Sequence, residues 1–335
     1  MSTTFVTRYD LRAPGATPEE RQELFGRSVE QAAYVDRHGH DAIMVSEHHA
    51  AEDGYLPSPL LVASAFAAVT ERVPITVSAL LVNLYEPVRL AEDLAVLDLL
   101  SKGRVSYAMG LGYRPVEYEL YDRPWATRGR DIEARIARVL ELWRTGATTP
   151  VPYSQPHPFL FYGGGSPAAA RRAARLGLNF QPQHGDPALK EEYDATCRSL
   201  GREPGFVLRA PAEGPANVFC AADPEEFWER YGHHLLADAT AYQEWHGEAG
   251  SYVVDGSRTV EEMREAGVYL VTTPDELVER CRAGLRLVTS HPACGGLPAE
   301  PSWASLARSA RSCCRPSGAD VPPRRRRRGP LELRP

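Results

Sequence analysis

Three short stretches hold residue types that can do chemistry. Glu47-His48-His49 sets a carboxylate beside two imidazoles. Neighbouring side chains on extended backbone point to opposite sides, so only one of these histidines can face a common site. A carboxylate can fix an imidazole's tautomer and hold it near neutrality, as a general base requires. By spacing alone, the triplet suits equally well a hydrogen-bonded cluster that caps a strand. No second His/Asp/Glu cluster of ligand spacing accompanies it, so no metal site is expected. The second stretch, Gly110-Leu111-Gly112-Tyr113-Arg114, offers two glycines for close backbone approach and a guanidinium for a phosphate or acid. A plain tight loop would also use Gly110 and Gly112. The third, Gly163-Gly164-Gly165-Ser166-Pro167, opens a helix, where free amides and the macrodipole suit a phosphate and Ser166 adds a hydroxyl. His184 and His291 each follow an expected strand and are read as mouth residues.

Positioning these residues falls to a regular alternation of short apolar runs and stretches of helical period. Strands are expected over 5–9, 42–46, 75–81, 105–109, 159–162, 179–183, 207–220, 268–271 and 285–289. Helices are expected over 18–38, 59–72, 87–100, 167–176, 187–200, 223–246, 258–266 and 274–284. The first has Thr17 as N-cap, Pro18 behind it, and Gly39 past its end. Repeated βα units make a parallel sheet with right-handed crossovers. The count and length fit a closed TIM (β/α)8 barrel with loop insertions better than an open doubly wound sheet. The first strand is followed by no glycine-rich dinucleotide fingerprint. In such a barrel the chemistry sits where strands end, and Glu47, Gly110 and Gly163 all stand at strand ends.

The 335 residues carry a formal charge of −6. This sum hides a division, because residues 307–335 hold nine arginines against Asp320 and Glu332, leaving the rest strongly acidic. An acidic body argues against nucleic-acid or anionic-membrane partners. Six cysteines without C-x-x-C spacing read as reduced thiols. No signal peptide and no run of 18 apolar residues is apparent, so a soluble, cytoplasmic protein is expected.

Taken together, the motifs resemble the bacterial luciferase-like flavin-dependent monooxygenases. The resemblance rests on Ser46-Glu47-His48-His49 with Asp53-Gly54-Tyr55-Leu56-Pro57-Ser58-Pro59, on Glu86-Pro87-Val88-Arg89-Leu90-Ala91-Glu92-Asp93, and on Ser101-Lys102-Gly103-Arg104-Val105. It continues through Gly110 to Tyr118, the glycine-rich turn and Thr273-Pro274-Asp275-Glu276-Leu277, covering about residues 3–306. It implies a TIM-like barrel that binds reduced FMN delivered by a separate flavin reductase. Oxygen then adds at the flavin C4a carbon, and the hydroperoxide oxidises a small organic substrate. His48 matches the family's active-site base, Ser166 matches a phosphate-contacting serine, and Gly165 lies in the same turn. Gly110, Gly112, Arg114 and Gly164 complete the implied cofactor contacts. Glu47, Tyr113, His184 and His291 are assigned to the substrate pocket, and a homodimer is expected. One departure stands out: Leu111 occupies the place of a phosphate-binding arginine, for which Arg114 is the substitute on offer.

Three rival readings follow from the same residues. Hydride transfer with the deazaflavin F420 would use the same barrel without oxygen. A non-catalytic luciferase-like subunit would need neither His48 nor the glycine turn. A metal-dependent hydrolase would gather Glu47, His48, His49, His184 and His291. Residues 307–335 read as a disordered basic tail beginning at a reading-frame shift near residue 306, so that 1–306 forms the barrel domain.

Overall fold

The computed structural model describes residues 3–211, 214–246 and 253–312. Its first half is strictly alternating: β1 (Thr4–Tyr9), α1 (Pro18–Arg37), β2 (Ala42–Val45), α2 (Pro59–Val69), β3 (Ile75–Leu81), α3 (Pro87–Ser101) and β4 (Val105–Gly110). Then come α4 (Pro115–Leu120), α5 (Arg128–Thr145), β5 (Phe159–Gly164), α6 (Pro167–Leu176), β6 (Asn179–Pro182) and α7 (Pro187–Ser199). The remainder is β7 (Asn217–Cys220), α8 (Pro224–His246), α9 (Val260–Ala266), β8 (Tyr269–Thr272), α10 (Pro274–Ala283), β9 (Leu287–Ser290) and α11 (Ala299–Ser312).

Local chemistry explains the boundaries. Thr17 and Glu20 form a reciprocal capping box at the start of α1, the Thr17 amide donating to Glu20 Oε2 at 2.8 Å. Thr273 and Glu276 repeat the device at α10. At the other ends, α5 and α6 stop on Gly146 and Gly177 with φ of +67° and +69°, backbone that costs glycine little.

Seven strands form one curled parallel sheet in the order β6-β5-β4-β3-β2-β1-β9, as expected of right-handed βα repeats. The closed circle foreseen from the sequence is not a continuous ladder among the described residues. Instead of one strand over 207–220, there is a single bridge from Val207 to Phe180, and β7 pairs only with β8. Val218 and Cys220 of β7 pack with Phe5 of β1 and Val288 of β9, so side chains bridge that part of the wall. The result is a TIM-type α/β fold.

The main core lies between sheet and helices. Tyr9, Ile43, Val45, Ile75, Val77 and Tyr107 point outward from alternate strand positions against Phe66, Leu94, Ile136 and Ala173. Full burial of side chains this size contributes about 1.5–3 kcal/mol each. No helix among the described residues is long and apolar enough to cross a membrane. The boundary foreseen at residue 306 falls inside α11, which runs to Ser312 with Ser309 and Ala310 buried. A buried face therefore continues to Ala310, four residues past the foreseen boundary, and residues 313–335 lie outside the described residues.

Candidate active site

β2 carries Ser46, Glu47, His48 and His49 to the mouth of the barrel, and the expected alternation is present. Glu47 and His49 turn to one side, His49 Nε2 lying 2.9 Å from Glu47 Oε1. Glu47 also accepts the Leu81 amide at 2.7 Å and the Tyr85 hydroxyl at 2.8 Å. This buried carboxylate ties the ends of β2 and β3 together.

His48 turns the other way. Its Nδ1 is 2.8 Å from Glu117 Oε1, and its Nε2 is 3.0 Å from the Tyr113 hydroxyl. With a carboxylate on Nδ1, that nitrogen carries the hydrogen, so Nε2 holds the lone pair and accepts from Tyr113. The tautomer is thus assigned from the hydrogen-bond network. Glu117 comes from the first turn of α4 and is fully buried, 0% exposed. The same Oε1 accepts the His49 amide at 3.0 Å and Arg114 Nη1 at 3.3 Å.

Burial holds the His48 pKa below the ordinary imidazole value, against the Glu117 hydrogen bond and charge that raise it, while Arg114 and Arg12 lower it further. Burial alone would raise Glu117. The His48 bond and charge, the His49 amide and Arg114 outweigh it and keep the carboxylate below its usual range. Both shifts favour a neutral imidazole on a carboxylate, an arrangement that can take one proton. The sequence reading looked for the carboxylate next door at Glu47; the partner lies 69 positions away.

Arg114 has a different place from the one expected. It donates to the His49 carbonyl at 2.6 Å, and its guanidinium lies over Trp245 of α8 at 4.1 Å. It braces the base and does not reach the glycine turn.

Ser166, at the end of that turn, lines a separate hollow of about 510 Å³ together with Leu111, residues 126–130 and Arg172. β5 runs through Gly164, so the glycine run is half strand. A Cβ at Gly164 would lie 2.7 Å from Ala169 Cβ, and one at Gly165 3.0 Å from Gln183. Ser166 caps α6 by accepting the Ala169 amide at 3.2 Å, which leaves its own hydrogen to donate. Arg128 lies over Trp125 at 3.7 Å, and its Nε is buried with no hydrogen-bond partner among the described residues. Arg172 binds Glu133 at 2.9 Å. Two guanidiniums, a hydroxyl and a helix N-terminus facing one hollow suit a phosphate. Arg128 and Arg172 are the cations that sequence reading missed; neither stands in a recognisable motif. They flank the Leu111 position from which the expected arginine is absent.

A family model described as luciferase-like monooxygenase matches residues 2–291. The chain belongs to the luciferase-like monooxygenase family. It is 25% identical over 243 residues to the oxygenase component of a flavin-dependent trigonelline monooxygenase from Acinetobacter baylyi, covering 64% of this chain and 67% of that one. A further curated relative is matched over only 47% of its length. Among solved structures, the oxygenating constituent of 3,6-diketocamphane monooxygenase of Pseudomonas putida, in complex with FMN, superposes with a TM-score of 0.68 at 18% identity. The match covers 93% of this chain and 98% of that one. An F420-dependent secondary alcohol dehydrogenase gives 0.62 at 15% identity, covering 92% and 98%. At such identities these structures speak for the luciferase-like fold.

The remaining candidate residues scatter within this luciferase-like barrel. Gly110 packs closely, since a Cβ there would lie 2.5 Å from Ala79 Cβ, and Gly112 turns with φ +76°. His184 places Nε2 3.2 Å from the Gly165 carbonyl, beside the glycine turn and not beside the base. His291 is sealed beneath α8, Nε2 3.2 Å from Asp10 Oδ1 and Nδ1 3.9 Å from Asp238 Oδ2. These positions do not bring Glu47, His48, His49, His184 and His291 to one point, as a metal-dependent hydrolase needs. Asp238, His291 and Cys294 do lie with ligand atoms within 4.8 Å of one another. Arg12 stands 3.4 Å from Asp238 and Arg8 3.0 Å from Asp10, and burial drives the Cys294 thiol strongly toward its neutral form. That cationic lining disfavours a metal ion.

Proposed function

We propose that this chain is the oxygenase of a two-component flavin system, using FMNH2 from a separate reductase and O2 to oxidise a small organic substrate. One observation carries the reading: the loop after β4 runs from the phosphate-suited hollow, which Leu111 lines, to the His48–Glu117 pair, where Tyr113 bonds His48 Nε2. Arg128, Arg172 and Ser166 would hold the FMN phosphate. Bound reduced FMN would supply the electrons that activate oxygen. The chain's own share is to keep water out with Tyr55, Tyr113 and Trp245 and to accept a proton at His48. A supporting subunit without activity would need neither arrangement.

A homodimer accompanies the proposal. Leu61 and Val69 of α2 and Val88, Val96, Leu99 and Leu100 of α3 are exposed, Leu61 at 73%, on two helices that pack side by side. A patch of this kind on one wall is a natural seat for a second copy. The free thiols Cys197, Cys220, Cys281 and Cys294 suit a reducing cytoplasm.

Anaerobic titration with FMNH2 and with reduced F420, side by side, separates this function from its nearest rival. FMNH2 should bind more tightly, and Arg128→Ala should weaken it by about tenfold or more, equivalent to about 1.4 kcal/mol. Preference for F420, or indifference to Arg128, would overturn the assignment.

A further inference from the structure

His48 has no open face. Nδ1 is taken by Glu117 and Nε2 by the Tyr113 hydroxyl. Tyr55, Trp245 and Tyr113 close on the ring edge-to-face at centroid distances of 4.8, 5.0 and 5.1 Å. Only 6% of the residue is exposed. Tyr113 is less deeply buried and sits two residues from Leu111, which lines the phosphate-suited hollow. We infer that Tyr113 is the catalytic residue that meets the reactant, and that it passes the reactant's proton to His48. This step rests on the oxygenase reading only for the reactant's identity.

The transfer moves two protons and no electrons. The reactant's X–H bond breaks and its proton joins Tyr113 Oη. In the same step the original Oη proton crosses 3.0 Å to His48 Nε2. The imidazolium so formed keeps Nδ1–H on Glu117, whose negative charge stabilises it. Burial, with Tyr55 and Glu117, raises the Tyr113 phenol strongly against the lowering effect of Arg114 and Arg12, so a free tyrosinate is disfavoured and the two transfers are coupled. The groups facing His48 are Glu117 and Arg114 from α4 and its leading loop, Tyr55 and Arg12 from the loops after β2 and β1, and Trp245 from α8.

Two measurements on Tyr113→Phe test the relay. The first needs no flavin: 15N NMR of His48 in the apo protein. Losing a donor that favours the neutral ring should raise the His48 pKa and shift Nε2; an unchanged Nε2 signal would overturn the proposal. The second mixes FMNH2-loaded protein with O2 and follows the return of oxidised FMN across pH. The native chain should show an acid limb below pH about 6.5, the ordinary imidazole value, and a curved proton inventory from two moving protons. Tyr113→Phe should slow the step by about 10²-fold and abolish the limb. A native rate and limb in Tyr113→Phe would overturn the relay. Failure of any flavin to bind, with the NMR shift present, would instead count against the oxygenase reading and leave the Tyr113–His48 contact established.

Discussion

At the scale of single residues, the proposed base takes its partner from a distant turn. The place of His48 was legible because residues directly after a strand of a βα repeat stand at the mouth. Glu117 was not, since a contact across 69 positions leaves no local spacing. Arg114 was misjudged for a related reason. A guanidinium after a glycine pair suits a phosphate, yet a carboxylate three residues on captured it. The consequence can be measured. Replacing His48 by Ala should lower turnover by about 10²–10⁴-fold with modest change in FMN affinity. Glu117→Gln removes the charge that raises His48 and weakens the bond to Nδ1, so the acid limb of kcat/KM should move to still lower pH while the rate above it falls. A limb that moves upward would show that Glu117 is not the group facing Nδ1.

At the scale of elements, most of the parallel repeat could be read from period and caps. Where the reading erred, tertiary partners decided. Residues 207–220 read as a strand region, but Val207 bridges to Phe180 whereas Asn217–Cys220 pairs with β8. The glycine run reads as a turn, yet Gly163 and Gly164 both pair with β6, and at Gly164 the close approach of Ala169 leaves no room for a side chain. The change of composition near residue 306 suggested that order ends there, and α11 nevertheless buries Ser309 and Ala310. Truncation after Leu306 should therefore lower Tm by about 2–4 °C, as loss of about 1 kcal/mol does in a chain of this class. Truncation after Ser312 should leave it unchanged. Equal melting of the two truncated forms would mean that the last turns of α11 contribute nothing.

At the scale of the whole molecule, the acidic body, the curled sheet and the two-part mouth act together. Seven laddered strands carry His48 past the end of β2 and the phosphate-suited hollow past the ends of β4 and β5, with β3 between them. Trp245 at the end of α8 lies against both His48 and Arg114, so the late half of the chain completes a site whose chemistry belongs to the first half. The substrate was not legible, since similar barrels change substrate through their loops. The central claim is that this barrel uses reduced FMN to activate oxygen, and rapid mixing of FMNH2-loaded protein with O2 tests it most directly. A transient absorbance distinct from both reduced and oxidised FMN is expected before oxidised FMN returns. Direct single-step return to oxidised FMN at the rate of the free cofactor would contradict it.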